Sequence, residues 1–450
     1  MTAFPYITRF IVSDRVKAFG NDTGGSFIIL FAFCMPVLVA LMGCAIDFGN
    51  AYKEREQLLL AADAASLDAI AKGSPGLLAA AAMNTDGRVQ VAEAKAIEAF
   101  YAELAAQNGN LQPVATAEVV KSGLTVTATV RFTVAMPTHF FGVFGVNTLA
   151  IDGHATSVNG TPPYIDFYLM LDNSPSMGIA ATPTDVDNLI TATAGQPGFA
   201  RNCGFACHEL DAPGMSSHVD NYTIAHDSGI TTRIDVLRQA TQQLMDTAAT
   251  TASVPGQFGM AINTFNVDMT TVSAMTTDLT AARANAAAID LMVVPAQGWN
   301  DDRDTDFEVS MAQLSAAVPA SGTGLTSDDP QRVVFLVTDG VDDTDRSTTP
   351  QIAASRVPDP SRLIQAFNPD LCRAMKNQGI KVAVIYTTYV PLPNNGYYNS
   401  YVSPWQDEIN PNIKACASPG YFFEVSPTQG ISEAMTALFR KAVAEARITS

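Results

Sequence analysis

The most chemically specific residues in the sequence are Asp172-Asn173-Ser174-Pro175-Ser176, which directly follow the apolar run 165–171. A carboxylate and two hydroxyls at alternate positions on a loop leaving a strand present hard oxygen donors. That donor set suits a partly hydrated divalent ion such as Mg2+, or Mn2+ or Ca2+. Two further loops supply similar donors: Thr338-Asp339-Gly340 after the apolar run 333–337, and Asp304-Thr305-Asp306 ahead of a helical pattern starting at Phe307. Each residue also has a plainer reading. Ser and Asp after a strand often cap the next helix, Thr305 with Glu308 reads as a capping box, and Asp339-Gly340 suits a turn. Thr323 and Thr326 rival Thr305 as the distant hydroxyl. The carboxylates Asp301, Asp302, Asp304, Asp306, Asp342, Asp343 and Asp345 fall in the same loops, with Arg303 and Arg346 to offset them. They are either a solvated face or the tuning charge of an ion site.

These loops reach one place only if a sheet brings them there. The runs 165–171, 259–265, 333–337, 382–386 and 421–425 are predominantly apolar, as parallel strands buried on both faces are. Amphipathic patterns at 234–248, 307–318, 361–378 and 431–446 alternate with them. Strand followed by helix, repeated, predicts a doubly wound, mostly parallel α/β sheet, whose ligands bind at the carboxyl ends of the strands. The turn-rich segment Asn159-Gly160-Thr161-Pro162-Pro163 sets the start of this domain, 159–450. A long stretch, about 178–232, separates the Asp172 loop from the next helix and is expected beside or over the site. It contains Cys203, Cys207 and His208, with His218 and His226 downstream. A Cys203–Cys207 disulfide is expected in an exported domain, with zinc as the alternative. Cys372 and Cys416 flank the strand 382–386 and are expected to pair.

Toward the N-terminus, residues 24–46 are free of Asp, Glu, Lys and Arg, which at 1.5 Å per residue spans roughly 35 Å as a helix. A transmembrane helix is expected there, with Pro36 as a kink. Arg9, Arg15 and Lys17 precede it against Lys53 and Arg55 after it, so a cytoplasmic leader, 1–23, and an exported remainder follow from charge asymmetry. Leu41-Met42-Gly43-Cys44 also resembles a lipoprotein cleavage box, which would put a lipid on Cys44 instead. Residues 47–158 read as a helical stalk and a small helix-plus-sheet module. Leu58, Ala62, Ala65 and Ala69 form one stripe, Ile97, Tyr101 and Leu104 another that stops at Asn108-Gly109, and 124–134 alternates strictly as a half-buried strand. A second extended run, 149–158, is expected to pair with that strand. With 26 Lys+Arg against 44 Asp+Glu, the net charge of −18 opposes binding to phosphate backbones, so nucleic acid is not an expected partner.

The pattern Asp172-x-Ser174-x-Ser176, a distant Thr and a distant Asp resembles the metal-ion-dependent adhesion site (MIDAS) of von Willebrand factor type A domains. That resemblance implies that Asp172, Ser174 and Ser176 hold the ion directly or through water. Thr305 would add a hydroxyl, Asp339 would act through water, and a carboxylate from a protein partner would complete the shell. The whole chain is similar to TadG-like proteins of the tight-adherence (Flp) pilus assembly system. What this implies is a single-pass protein of the bacterial inner membrane with a periplasmic adhesion-type domain. It would assist pilus assembly or surface attachment through protein partners and would not be an enzyme. A lipid-anchored surface adhesin and a metal-dependent hydrolase remain as alternatives. The hydrolase finds no G-x-S-x-G, H-E-x-x-H or P-loop in the sequence.

Overall fold

A computed structural model describes residues 26–106, 111–206, 208–209, 219–296, 298–389, 396–426 and 430–446. The expected leader 1–23 and the helix stop at Asn108-Gly109 lie outside them. The chain divides into two compact units. One comprises Met1–Gly76, Arg88–Val120 and Thr127–Asn159, and the other Leu77–Gly87, Lys121–Val126 and Gly160–Ser450.

In the first unit a 44-residue helix, Ser26–Ala69, runs without a break through Pro36 and Cys44. From Phe27 to Met42 its large apolar side chains stand exposed on every side, which in water is costly and in lipid is not. Farther along, Leu58, Ala62, Ala65 and Ala69 are buried as the stripe predicts. Small residues there let a second helix, Gln90–Ala106, approach closely. Its buried face is Ala92, Ala96, Phe100 and Leu104, rotated from the predicted one, and Tyr101 turns outward to donate to Pro113 O at 3.2 Å. Strands β1 (Gly87–Arg88), β2 (Val114–Ser122), β3 (Thr125–Pro137) and β4 (Thr148–Gly160) form a sheet in that order. Alternation along β3 buries Val126, Ala128, Val130 and Phe132. A buried Ser66–Ser157 hydroxyl pair, 2.6 Å apart, ties the long helix to β4.

The second unit is built on β5 (Ile165–Asp172), β6 (Phe258–Phe265), β7 (Met269–Thr276), β8 (Gln331–Thr338), β9 (Val341–Asp345), β10 (Ser355–Arg356), β11 (Arg362–Ala366), β12 (Lys381–Thr387) and β13 (Phe422–Val425). Six of these make one sheet, in the order β13-β12-β8-β5-β6-β7. It is parallel except for β7, which pairs antiparallel with β6 at the edge. The doubly wound, mostly parallel architecture expected from the sequence is the observed one. Along β5, Phe167, Leu169 and Leu171 enter one core while Tyr168 and Met170 enter another on the opposite face. The first core is closed by the helices Arg233–Thr251 and Ile431–Ala446, the second by Phe307–Ala317 and Ile409–Cys416. Burying each such side chain contributes roughly 1.5–3 kcal/mol.

One expected helix is absent: residues 361–378 form β11, a 3-10 turn Pro369–Cys372 and a short helix Arg373–Asn377. The spacing of Leu363, Ile364 and Phe367 fits a helix face, but β11 pairs antiparallel with β9, Arg362 opposite Asp345 and Ala366 opposite Val341. The Cys372–Cys416 disulfide is formed, with Cα atoms 5.3 Å apart. Cys203 carries no disulfide among the described residues, and Cys207 lies outside them.

Candidate metal centre

β5 and β8 are neighbours in register, Leu171 opposite Val337. Their next residues therefore emerge side by side at the carboxyl edge where the winding reverses. Asp172 is fully buried and anchors the site. One of its carboxylate oxygens accepts from Ser174 N at 3.0 Å and Ser174 Oγ at 2.6 Å. The other accepts from Thr338 Oγ1 at 2.6 Å. Ser176 Oγ lies 3.1 Å from Ser174 Oγ. Pro175 opens a 3-10 turn, Pro175–Gly178, and its fixed φ sets the bend that brings the two hydroxyls together. After β8, Gly340 at φ 77 reverses the chain into β9, a backbone state that a side chain would strain. Asp339 is held at this bend, buried, with its Oδ1 accepting from Val341 N at 3.4 Å.

Thr305 arrives from the third loop. Its backbone exchanges hydrogen bonds with Asp343, N–H to O at 3.2 and 2.9 Å. The capping-box reading of Thr305 does not hold: the N-cap of the helix Phe307–Ala317 is Asp306, which accepts from Val309 N at 2.9 Å. Thr323 is excluded as a rival, because it bonds Asp329 in the turn whose Gly324 O accepts from Tyr164 N, at the opposite end of β5. Ser174, Ser176, Thr305 and Asp339 line one cavity of about 750 Å³, with Asp172 beneath them. Phe205 and Glu209 of the long insertion line it too, so that segment reaches the site.

The charge state of the centre follows from its burial. Asp172 is pushed up to about 7, first by loss of water and then by Asp339 beside it. Asp339 is raised by burial against the pull of Arg233. Its Oδ2 has no hydrogen-bond partner among the described residues, a costly state for a buried carboxylate oxygen. Two crowded carboxylates, an orphaned oxygen and three hydroxyls are what a divalent ion neutralises, so the residues present fit one. No group of three or more His, Cys, Asp or Glu is arranged for a metal among the described residues. His208 instead bonds Asp220 at 2.6 Å and His226 pairs with Asp235 at 3.3 Å, while His218 lies outside the described residues.

The acidic loops divide their labour. Asp302, Asp304 and Asp343 line the cavity. Burial and neighbouring carboxylates raise Asp304 to about 7, and burial raises Asp343 to about 6 against the pull of Arg362. Asp342 is buried below, accepting from Phe307 N at 3.1 Å and Gln365 Nε2 at 3.2 Å. Asp345 pairs with Arg303 at 2.5 Å, and Asp301 also faces Arg303, at 3.5 Å. The sequence reading missed two cations. Arg362 grips Asp343 with two bonds of 2.7 and 2.5 Å, and it was hidden by reading its strand as a helix. Arg233 is buried with no partner for its three guanidinium nitrogens among the described residues. Its position in an amphipathic helix gave no sign of that. Thr338, read in the sequence only as part of a donor loop, is the hydroxyl that bonds Asp172.

Residues 25–84 match the Tad family model of TadE/G-like Flp pilus-assembly proteins. No curated protein matches the chain significantly. Solved structures that resemble it include BatB from Bacteroides thetaiotaomicron, at 14% identity, covering 62% of this chain and 99% of that one with a TM-score of 0.32. The PilB minor pilin from Streptococcus sanguinis is 12% identical, with 76% and 80% covered and a TM-score of 0.34. The vWF domain of the type V pili tip protein Mfa5 from Porphyromonas gingivalis is 10% identical, with 64% and 96% covered and a TM-score of 0.34.

Proposed function

We propose that this chain is a membrane-anchored, metal-dependent binding module that assists assembly of a Flp-type pilus or attachment through it. The observation that carries the binding role is the convergence of Ser174, Ser176, Thr305 and Asp339 on one cavity above Asp172. Asp172, Ser174 and Ser176 would hold a Mg2+ or Mn2+ ion, with Thr305 and Asp339 completing the protein's share. When bound, such an ion offers an exchangeable position to a carboxylate of a protein partner. The chain's own residues shape who enters. Asp302, Asp304 and Asp343 repel a generally acidic surface, while Phe205 and Glu209 of the insertion border the opening.

The pilus setting is supported by the family match at residues 25–84. The exposed apolar stretch of the long helix supports a membrane span, and the excess of Arg9, Arg15 and Lys17 before it over Lys53 and Arg55 after it favours residues 1–23 cytoplasmic and the domain 159–450 in the periplasm. Binding rather than catalysis is the role, since the donors surround an ion position and the sequence carries no nucleophile motif.

The test is complementation of a source strain lacking this chain. Wild type restores pili counted by electron microscopy, and Asp172→Ala, present in the membrane at equal level, does not. Full piliation by that variant would refute the metal-dependent role.

A further inference from the structure

The segment joining β3 to β4 is apolar, exposed and structurally committed. Phe140, Val143, Phe144 and Val146 are all exposed, Val143 at 82% and Phe144 at 61%. Between Arg131 and Asp152 the sequence has no Asp, Glu, Lys or Arg, and His139 is its only titratable side chain. In water such a patch is a liability, and it usually marks something that covers it.

What covers it is indicated by the point at which it is fastened. The Asp47 carboxylate, one residue past the apolar stretch 24–46, accepts from three successive backbone N–H groups of this segment: His139 at 3.1 Å, Phe140 at 2.7 Å and Phe141 at 2.8 Å. Phe140 packs against the long helix at Gly43, where an added Cβ would stand 2.4 Å from its ring. Only a glycine admits the ring there. Phe48 and Phe141 approach to 6.1 Å between ring centroids. The segment is therefore held beside the last turns of the apolar stretch, at the level where that stretch leaves the bilayer.

Its backbone is prepared for an apolar medium, in which unpaired polar groups are penalised. Besides the three donors taken by Asp47, Val143, Gly145 and Val146 donate within the turn at 3.1, 3.0 and 3.1 Å. Thr138 donates its hydroxyl to Val146 O at 2.6 Å. Aromatic rings at the junction of hydrocarbon and headgroup are favourably placed.

We propose that residues 139–146 form a membrane foot, inserted into the interfacial layer of the leaflet from which the long helix emerges. The foot fixes the strand module against the lipid surface at a second point. This rests on the membrane-anchor reading of the long helix. It adds that the lipid surface, rather than a second copy of the chain, covers the patch.

The test uses the full chain in phosphatidylglycerol–phosphatidylcholine vesicles whose acyl chains are brominated either near the headgroup or near the methyl end. Tryptophan is placed singly, as Phe144→Trp and, as a second reporter in the foot, Val143→Trp. Phe33→Trp reports on the span. Val158→Trp, exposed near the far end of β4, reports on water. Native Trp299 and Trp405 supply the constant background. The expected result is loss of the added emission in both foot reporters with shallow bromines, stronger loss with deep bromines for Phe33→Trp, and none for Val158→Trp. Quenching of Phe33→Trp while both foot reporters behave like Val158→Trp would overturn the foot and leave the anchor standing. Foot emission that is unquenched but shifts with protein dilution would assign the patch to self-association and likewise overturn it. If Phe33→Trp also escapes quenching, the anchor reading fails and the foot fails with it.

Discussion

Asp172 carries the cost of the centre. An aspartate free in water titrates near 4, and this one is pushed up to about 7 by burial and Asp339. Between those values the folded chain retains a proton that the unfolded chain has released. The residue's contribution to stability is thus present in acid and lost as pH rises through about 7, by on the order of 4 kcal/mol in the metal-free chain. Asp172→Asn cannot ionise. In chelator it is expected to melt above wild type at pH 8, with the difference shrinking by pH 5, as followed by circular dichroism. An equal difference at both pH values would mean that Asp172 is not held as a strained acid. Asp343 is also raised, to about 6, but there Arg362 offsets part of the cost of burial. Arg362→Ala strands a half-buried carboxylate and is expected to cost on the order of 3 kcal/mol in urea unfolding, most of it recovered by adding Asp343→Asn.

The elements that position these residues differ in how much cross-linking they need. The Cys372–Cys416 bridge closes a loop that contains β12, joining the 3-10 turn Pro369–Cys372 to the helix Ile409–Cys416. In the chain-entropy account such a loop gains about 4 kcal/mol at most. Replacing both cysteines by serine is expected to lower the denaturation midpoint without changing metal affinity, since neither residue lines the cavity. Strands β5, β6, β8 and β12 were legible in the sequence because burial on both faces keeps their runs predominantly apolar, with Asp166 in β5 and Asn263-Thr264 in β6 as the interruptions. The edge strand β7 has no such signature. β7 reads Met-Thr-Thr-Val-Ser-Ala-Met-Thr, with Thr270 and Thr271 exposed and Ser273 alone buried. β9 and β11 also escaped, because β9 is mostly acidic and β11 shares its apolar spacing with a helix. The metal loops were legible through Asp172-x-Ser174-x-Ser176 and the turn at Asp339. Arg233 and Arg362 were not, because burial of a cation is decided by tertiary neighbours that local sequence does not name.

For the whole molecule, the long helix and the centre make separable claims. Sodium carbonate washing should leave the full chain in the membrane pellet. Phe33→Lys with Leu38→Lys, costing about 2.5–3.5 kcal/mol for each lysine in the span, should shift a substantial part to the supernatant. The central claim is that the five converging residues form a divalent-ion site, and calorimetric titration of Mn2+ into the full chain in detergent tests it most directly. Asp172→Ala and the double variant Ser174→Ala with Ser176→Ala are titrated alongside. The account predicts a single site in wild type and no binding heat in either variant, each retaining the wild-type circular dichroism spectrum. A folded wild type that takes up no ion, or variants that bind as it does, would contradict it.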